Sequence, residues 1–146
     1  MQKATELGVT RIVPLVTEYS EFKRSRPRTA PRWRKIALEA TKQCGRRALT
    51  EISEVQSFEQ FCAANTDGLR LIFSERQGKR LSDVPPASAV TMAIGPEGGW
   101  GEGDLQQATA AGFLPIHLGA RILRTETAAL AAVTLTQYLF GDLRCG

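Results

Sequence analysis

Apolar and polar residues alternate along the chain in blocks that predict strands and helices in turn. Short apolar runs predict buried strands at residues 11–16, 69–73, 89–94 and 114–118, with a weaker candidate at 52–55. Apolar positions spaced three and four residues apart predict helices at residues 2–7, 31–44, 58–64, 102–111 and 126–140. Strands that alternate with helices indicate an α/β fold with a mostly parallel sheet flanked by helices.

Helix-boundary signals support this assignment. The predicted helices 2–7, 31–44 and 102–111 are followed by Gly8, Gly45 and Gly112. Ser57 and Gln60 have the spacing of a capping box, and Thr125 is a favourable N-cap for the last helix. That last helix is apolar on nearly all sides, which predicts burial on more than one side.

Composition indicates one domain that spans residues 1–146. The chain is 42% hydrophobic and 23% charged, which is ordinary for a globular protein with one core. The N-terminus does not resemble a signal peptide and the apolar run 128–133 is too short to cross a membrane, so we expect a cytoplasmic protein without membrane contact. Three cysteines without paired spacing predict neither disulfides nor a metal site.

Positive charge is concentrated in one segment. Residues 21–47 contain ten basic and two acidic residues, a net charge of +8, whereas the whole chain carries +4. Such a segment is suited to the phosphates of a nucleic acid, although a solvated helix face is the simpler alternative. The predicted RNA contacts are Arg24, Arg26, Arg28, Arg32 and Arg46.

A glycine-rich loop follows the predicted strand 89–94. Residues 95–103 read Gly-Pro-Glu-Gly-Gly-Trp-Gly-Glu-Gly, a sequence that bends tightly or admits a ligand close to the main chain. No Gly-x-Gly-x-x-Gly pattern fits it and no Gly-Lys-Ser/Thr follows, so dinucleotide and nucleoside-triphosphate sites are disfavoured. A glycine-rich turn without a ligand remains the alternative for this loop alone.

Three loops at predicted strand ends should meet. In parallel sheets, ligands bind beyond the carboxyl ends of the strands, and the loops there comprise residues 74–76, 95–103 and 119–124. We therefore expect one ligand pocket lined by these loops.

Two motifs connect this pocket to a known family. Residues 94–99 read Ile-Gly-Pro-Glu-Gly-Gly, and residues 118–128 read Leu-Gly-Ala-Arg-Ile-Leu-Arg-Thr-Glu-Thr-Ala. Together with the segments 2–9, 12–15 and 33–46, they resemble the bacterial small-subunit (16S) ribosomal RNA uridine-N3 methyltransferases, which belong to the SPOUT superfamily. The resemblance covers nearly the whole chain.

The resemblance implies a C-terminal trefoil knot, a homodimer, and methylation of uridine N3 in small-subunit ribosomal RNA with S-adenosylmethionine as cofactor. The implied cofactor-binding residues are Ser74, Ile94, Gly95, Pro96, Glu97, Gly98, Gly99, Leu118, Gly119, Ile122, Leu123 and Arg124. A SPOUT ribose 2′-O-methyltransferase and a non-catalytic RNA-binding remnant are the alternatives.

The family pattern also begins earlier than this chain. Its members have an RNA-binding β-barrel domain and a first strand before the segment that matches residue 1, so we expect an N-terminally truncated methyltransferase domain. We expect such a chain to bind the cofactor but to methylate the small subunit far more slowly than a longer form, because the domain that positions the RNA is absent.

Candidate catalytic residues open the last helix. Arg124 is a cation near a helix N-terminus, an unfavourable position that suggests an anionic partner. Arg124 can stabilise a developing carbonyl oxyanion on the uracil, and Glu126 can accept the N3 proton. His117, the sole histidine, is interpreted as structural, and Trp100 as an exposed aromatic residue. Tyr19 stands where many family members have Arg.

Overall fold

The computed structural model describes residues 1–20, 29–64, 67–75 and 78–144. In these ranges the helices are α1 (Gln2–Glu6), α2 (Thr29–Cys44), α3 (Phe58–Ala63), α4 (Glu102–Ala110) and α5 (Thr125–Phe140). The strands are β1 (Arg11–Ile12), β2 (Leu15–Val16), β3 (Glu51–Ile52), β4 (Gln56–Ser57), β5 (Leu69–Phe73), β6 (Val90–Ile94) and β7 (Leu114–Ile116). A 3-10 turn spans Leu81–Asp83.

Strand pairing among the described residues is parallel throughout, so the predicted α/β class is confirmed. The strands form a three-stranded sheet in the order β6-β5-β7 and two small pairs, β1 with β3 and β2 with β4. The prediction of one strand over residues 11–16 was therefore wrong. Pro14 has no amide hydrogen to donate to a ladder, so pairing stops after Ile12 and resumes at Leu15.

The three-stranded sheet is covered on both faces, as its apolar strands predict. Ile72 packs on one face with aromatic residues of α3 and with Phe113, whereas Leu71 and Phe73 pack on the other face with Ala132 of α5. β7 ends at Ile116, two residues before the predicted end, and the chain then turns sharply: the Gly119 N–H donates to His117 Nδ1 at 3.2 Å.

The helix-boundary signals had mixed outcomes. The capping box of α3 is confirmed, because Ser57 Oγ accepts from the Gln60 N–H at 3.2 Å and Gln60 Oε1 accepts from the Ser57 N–H at 3.2 Å. The N-cap of α5 is Arg124 and not Thr125, which lies inside the first turn.

Helix α5 crosses the sheet and reaches α1. Gln137 Nε2 donates to the Leu7 carbonyl oxygen at 2.8 Å, and Ala132 and Thr136 are buried. The opposite side remains open, since Leu135 is 43% exposed and Tyr138 is 59% exposed. Within this chain, therefore, burial is confined to fewer sides than the apolar pattern predicts. No helix in the described ranges is long and apolar enough to cross a membrane.

Candidate active site

A cleft lies at the carboxyl ends of β5, β6 and β7, where the three predicted loops meet. Its deep part is lined by Phe73, Ser74, Glu75, Ile94, Gly95, Pro96, Gly99, Trp100, Leu105, Leu118, Gly119, Arg121, Leu123, Thr125 and Ala128. Its outer part is lined by Glu75, Pro96, Glu97, Gly99, Ile122, Leu123, Arg124, Thr125 and Glu126. The sheet topology thus places all three loops in one site, as expected for parallel strands.

Trp100 forms part of the floor of the cleft. Its Nε1–H donates to the Phe73 carbonyl oxygen at 2.8 Å, and its ring packs on Phe58 with 4.8 Å between centroids. Only 7% of the residue is exposed, so the prediction of an exposed aromatic was wrong. A Cβ atom on Gly95 would lie 3.1 Å from Trp100 Nε1, and the absence of one allows the indole to pack beneath this loop.

The Thr125 hydroxyl joins two of the loops. It donates to the Gly95 carbonyl oxygen at 3.2 Å, which connects the first turn of α5 to the loop after β6. Thr125 lies inside the first turn of α5, whose N-cap is Arg124, so its hydroxyl contacts the loop after β6. The two signature segments are therefore held in contact by a specific hydrogen bond.

Most predicted cofactor-binding residues line the cleft. Those in the deep part are Ser74, Ile94, Gly95, Pro96, Gly99, Leu118, Gly119 and Leu123. Glu97, Ile122 and Arg124 line the outer part, and Ile122 is 79% exposed. The remaining predicted residue, Gly98, lines neither part.

Gly98 instead faces the segment that follows β2. A Cβ atom on Gly98 would lie 2.8 Å from Tyr19 Cβ and 3.2 Å from the Tyr19 carbonyl oxygen. Gly101 has a similar neighbour, because a Cβ there would clash with the Glu18 carboxylate. These two glycines let residues 18 and 19 pack against the loop, and the ligand cleft lies on its other side.

The two candidate catalytic residues lie in the outer part of the cleft. Arg124 is exposed at the N-cap of α5, and Glu126 is exposed in the first turn. Among the described residues, no salt bridge includes Arg124. Its guanidinium is consequently available to an anionic group in the outer cleft.

Sequence reasoning missed several lining residues. Phe73, Leu105 and Ala128 were not predicted, because nothing in a single sequence shows which side chains of a helix or strand end face a cleft, whereas Arg121 belongs to the predicted loop 119–124 but was not singled out. Glu75 belongs to the strand-end loop 74–76, and this position was the signal that could have identified it. Arg76 of the same loop lies outside the described residues.

The basic residues divide into three groups. Arg24, Arg26 and Arg28 lie outside the described residues, and Arg32 is exposed on α2. Arg46 is half-buried, and its guanidinium donates to the carbonyl oxygens of Thr5, Gly8 and Val9 and to the Thr50 hydroxyl at 2.8–3.3 Å. Arg46 therefore links the end of α2 to the turn after α1.

The titratable groups near the core have structural roles. His117 accepts a backbone hydrogen bond from Gly119, in agreement with its structural interpretation. Burial raises the pKa of the Cys62 thiol; Arg70 opposes this shift and Asp104 adds to it. No cluster of three or more potential metal ligands occurs in the part of the chain that the structure describes.

Comparison with known proteins identifies the domain. The family model described as RNA methyltransferase domain matches residues 1–137. The chain belongs to this family. Ribosomal RNA small subunit methyltransferase E of Buchnera aphidicola (subspecies Schizaphis graminum) is 35% identical over 98% of this chain and 60% of that protein. The Bacillus subtilis protein of the same name is 32% identical over 94% of this chain and 59% of that protein.

Solved structures of similar proteins share the fold. A putative methyltransferase from Legionella pneumophila in complex with S-adenosylmethionine superposes with a TM-score of 0.91, with 36% identity over 97% of this chain and 60% of that chain. A ribosomal RNA small subunit methyltransferase E from Neisseria gonorrhoeae, also bound to S-adenosylmethionine, gives 0.89 and 38% over the same shares. The chain of this RNA methyltransferase domain thus spans about 60% of the length of these relatives.

Proposed function

We propose that this RNA methyltransferase domain transfers a methyl group from S-adenosylmethionine to N3 of a uridine in small-subunit ribosomal RNA. The observation that supports this most strongly is the single cleft at the carboxyl ends of β5, β6 and β7, in a fold shared with two methyltransferases that bind S-adenosylmethionine. The proposal extends the activity named for longer relatives to this chain.

The deep cleft has the composition that this cofactor requires. Ile94, Leu118 and Leu123 provide apolar surfaces for an adenine ring, and the glycines at 95, 99 and 119 leave main-chain amides and carbonyls accessible for its polar edge. Gly99 and Gly119 have φ values of +75° and +96°, which L side chains rarely adopt. The residues present therefore fit the cofactor.

The outer cleft has groups suited to the target base. When bound, the cofactor supplies an electrophilic methyl group on a positively charged sulfur. As uracil N3 loses its proton, negative charge develops on the neighbouring carbonyl oxygens, and the exposed guanidinium of Arg124 can stabilise it. A carboxylate can accept the N3 proton; the described carboxylates that line the outer part are Glu75, Glu97 and Glu126, of which the sequence motif indicates Glu126.

RNA binding is assigned to the basic segment 21–47. Arg24, Arg26, Arg28 and Arg32 remain the proposed phosphate contacts, whereas the guanidinium donors of Arg46 are used within the fold. Substituting Arg26→Glu and Arg28→Glu should lower RNA affinity and reduce the slope of log affinity against log salt by roughly 0.7–0.9 for each lost phosphate contact. An unchanged slope would favour the solvated-face alternative.

A homodimer and a C-terminal trefoil knot complete the proposal. Support for the dimer comes from the open side of α5, where Leu130, Leu135 and Tyr138 are exposed together on a helix with few charges. The knot is implied by the family resemblance and would bring together the loops that the Thr125 hydroxyl joins to Gly95.

The decisive experiment locates the transferred methyl group. The chain is incubated with unmethylated small ribosomal subunits and S-adenosylmethionine carrying a labelled methyl group, and the RNA is digested to nucleosides. We expect the label in 3-methyluridine. Label in a ribose-methylated nucleoside would identify a 2′-O-methyltransferase instead, and absence of label with a folded chain that binds RNA would support the non-catalytic alternative.

A further inference from the structure

The deep and outer parts of the cleft share a boundary. Five residues line both parts, namely Glu75, Pro96, Gly99, Leu123 and Thr125. If the cofactor occupies the deep part and the target base the outer part, the methyl group crosses this boundary. Groups that act on the reacting atoms must therefore be within hydrogen-bond reach of it.

Glu75 is the one ionisable residue of these five. It is the second residue after β5, and its carboxylate lies over the glycine loop: Oε1 is 3.8 Å from where a Cβ atom on Gly99 would be. Thr125, the other boundary residue with a polar side chain, donates its hydroxyl hydrogen to the Gly95 carbonyl oxygen. Among the described residues of the boundary, Glu75 is therefore the one whose side chain carries a carboxylate that can accept a proton.

Glu97 and Glu126 are less suitably placed. Both line the outer part alone, on the loop after β6 and in the first turn of α5. A carboxylate in that part can contact the sugar or phosphate of a bound nucleotide, whereas Glu75 lines the deep part as well. Its position at the boundary therefore distinguishes Glu75 from Glu126, the carboxylate that the sequence motif indicates.

We propose that Glu75, and not Glu126, accepts the N3 proton of the target uridine. This inference rests on the proposed function. In the step, the N3–H bond breaks and its proton moves to the Glu75 carboxylate, while the nitrogen electron pair forms the new bond to the methyl carbon. The carbon–sulfur bond breaks and its electron pair returns to sulfur, so charge and atoms balance.

The test compares three isosteric substitutions, Glu75→Gln, Glu126→Gln and the control Glu59→Gln on the exposed start of α3. Each variant is measured by calorimetry for its Kd for S-adenosylmethionine and by single-turnover methyl transfer at saturating cofactor. We expect all three variants to bind the cofactor with Kd values within about threefold of that of the unmodified chain, because none of the three carboxylates is assigned a contact with the cofactor. Methyl transfer should fall by about 10²–10⁴ in Glu75→Gln and by less than about tenfold in the other two.

A chemical-rescue measurement separates proton acceptance from a structural effect. The variant Glu75→Ala leaves space beside Gly99, and added formate should raise its rate of methyl transfer at least about tenfold. The Glu75→Gln variant has no such space, and formate should leave its rate unchanged. Rapid methyl transfer by Glu75→Gln, or loss of cofactor binding together with the rate, would overturn the assignment. Failure of the unmodified chain to bind the cofactor or to form 3-methyluridine would instead overturn the proposed function.

Discussion

Gly98 and Tyr19 are in direct contact, with the position of a Gly98 Cβ only 2.8 Å from Tyr19 Cβ. The contact fastens the segment after β2 to the glycine loop after β6. The loop therefore has two sides: Gly95 and Gly99 face the cleft, whereas Gly98 and Gly101 face residues 18 and 19. Its high glycine content reflects this double packing as well as ligand approach.

The first prediction tests this contact. Gly98→Ala should lower the free energy of unfolding by about 1–3 kcal/mol, because its Cβ meets main-chain and Cβ atoms of Tyr19 that cannot rotate away. Gly103→Ala is the matched control: beyond its chain neighbours and its own helix backbone, no atom lies within 4 Å of the Cβ position, and alanine favours the helix by about 0.5–1 kcal/mol. Equal urea midpoints for the two variants would contradict the packing described.

The second prediction concerns the bond between Thr125 and Gly95. Thr125→Val removes the hydroxyl at nearly constant volume and should weaken binding of S-adenosylmethionine by about 2–10-fold, the value of one net hydrogen bond. Thr125→Ser retains the donor and should bind nearly as the unmodified chain does. Calorimetric titrations of both variants provide the comparison, and identical affinities would mean that this bond does not organise the cleft.

The third prediction separates a structural arginine from surface ones. Arg46→Lys should destabilise the chain by about 2–4 kcal/mol, because one ammonium group cannot replace a guanidinium that reaches four acceptors. Arg47→Lys, at the exposed neighbouring position, should change stability by no more than about 0.5 kcal/mol. Urea unfolding measures both, and similar stabilities would indicate that the Arg46 network is weak.

The fourth prediction follows from the pKa of the Cys62 thiol, which burial raises. At pH 8 less of this thiol is ionised than in an ordinary cysteine, so alkylation by iodoacetamide should be slower at Cys62 than at the half-buried Cys44. The same shift means that stability is retained below the ordinary thiol pKa and falls as the pH rises through the raised pKa. Peptide mass spectrometry after timed alkylation decides the order, and faster reaction at Cys62 would contradict it.

Local signals predicted the elements that depend on local interactions. The capping box at Ser57 is confirmed, because its reciprocal pair of hydrogen bonds needs only neighbouring residues. The strand Leu69–Phe73 is also confirmed, because its continuous apolar run is recognisable locally although its partners β6 and β7 are distant. The predictions for single side chains fail where a residue distant in sequence provides a hydrogen-bond partner. The Thr125 hydroxyl bonds to the distant Gly95 carbonyl oxygen, and the Trp100 indole is buried where it donates to the Phe73 carbonyl oxygen.

The site was predicted in outline but not in its internal arrangement. Parallel-sheet topology placed the three loops together, and eight of the twelve predicted cofactor residues line the deep cleft. The orientation of Gly98 towards Tyr19 could not be predicted, because it depends on packing between segments about eighty residues apart. The boundary position of Glu75 likewise appears only once both parts of the cleft are seen.

The most direct test of the account is a calorimetric titration of the folded, unmodified chain with S-adenosylmethionine. We expect saturable binding at one site per chain. The substitution Leu118→Glu should weaken this binding, because it places a charged side chain in the apolar part of the deep cleft. A titration that shows no binding by a chain with a cooperative unfolding transition would contradict the assignment of the cleft at the ends of β5, β6 and β7 as a cofactor site.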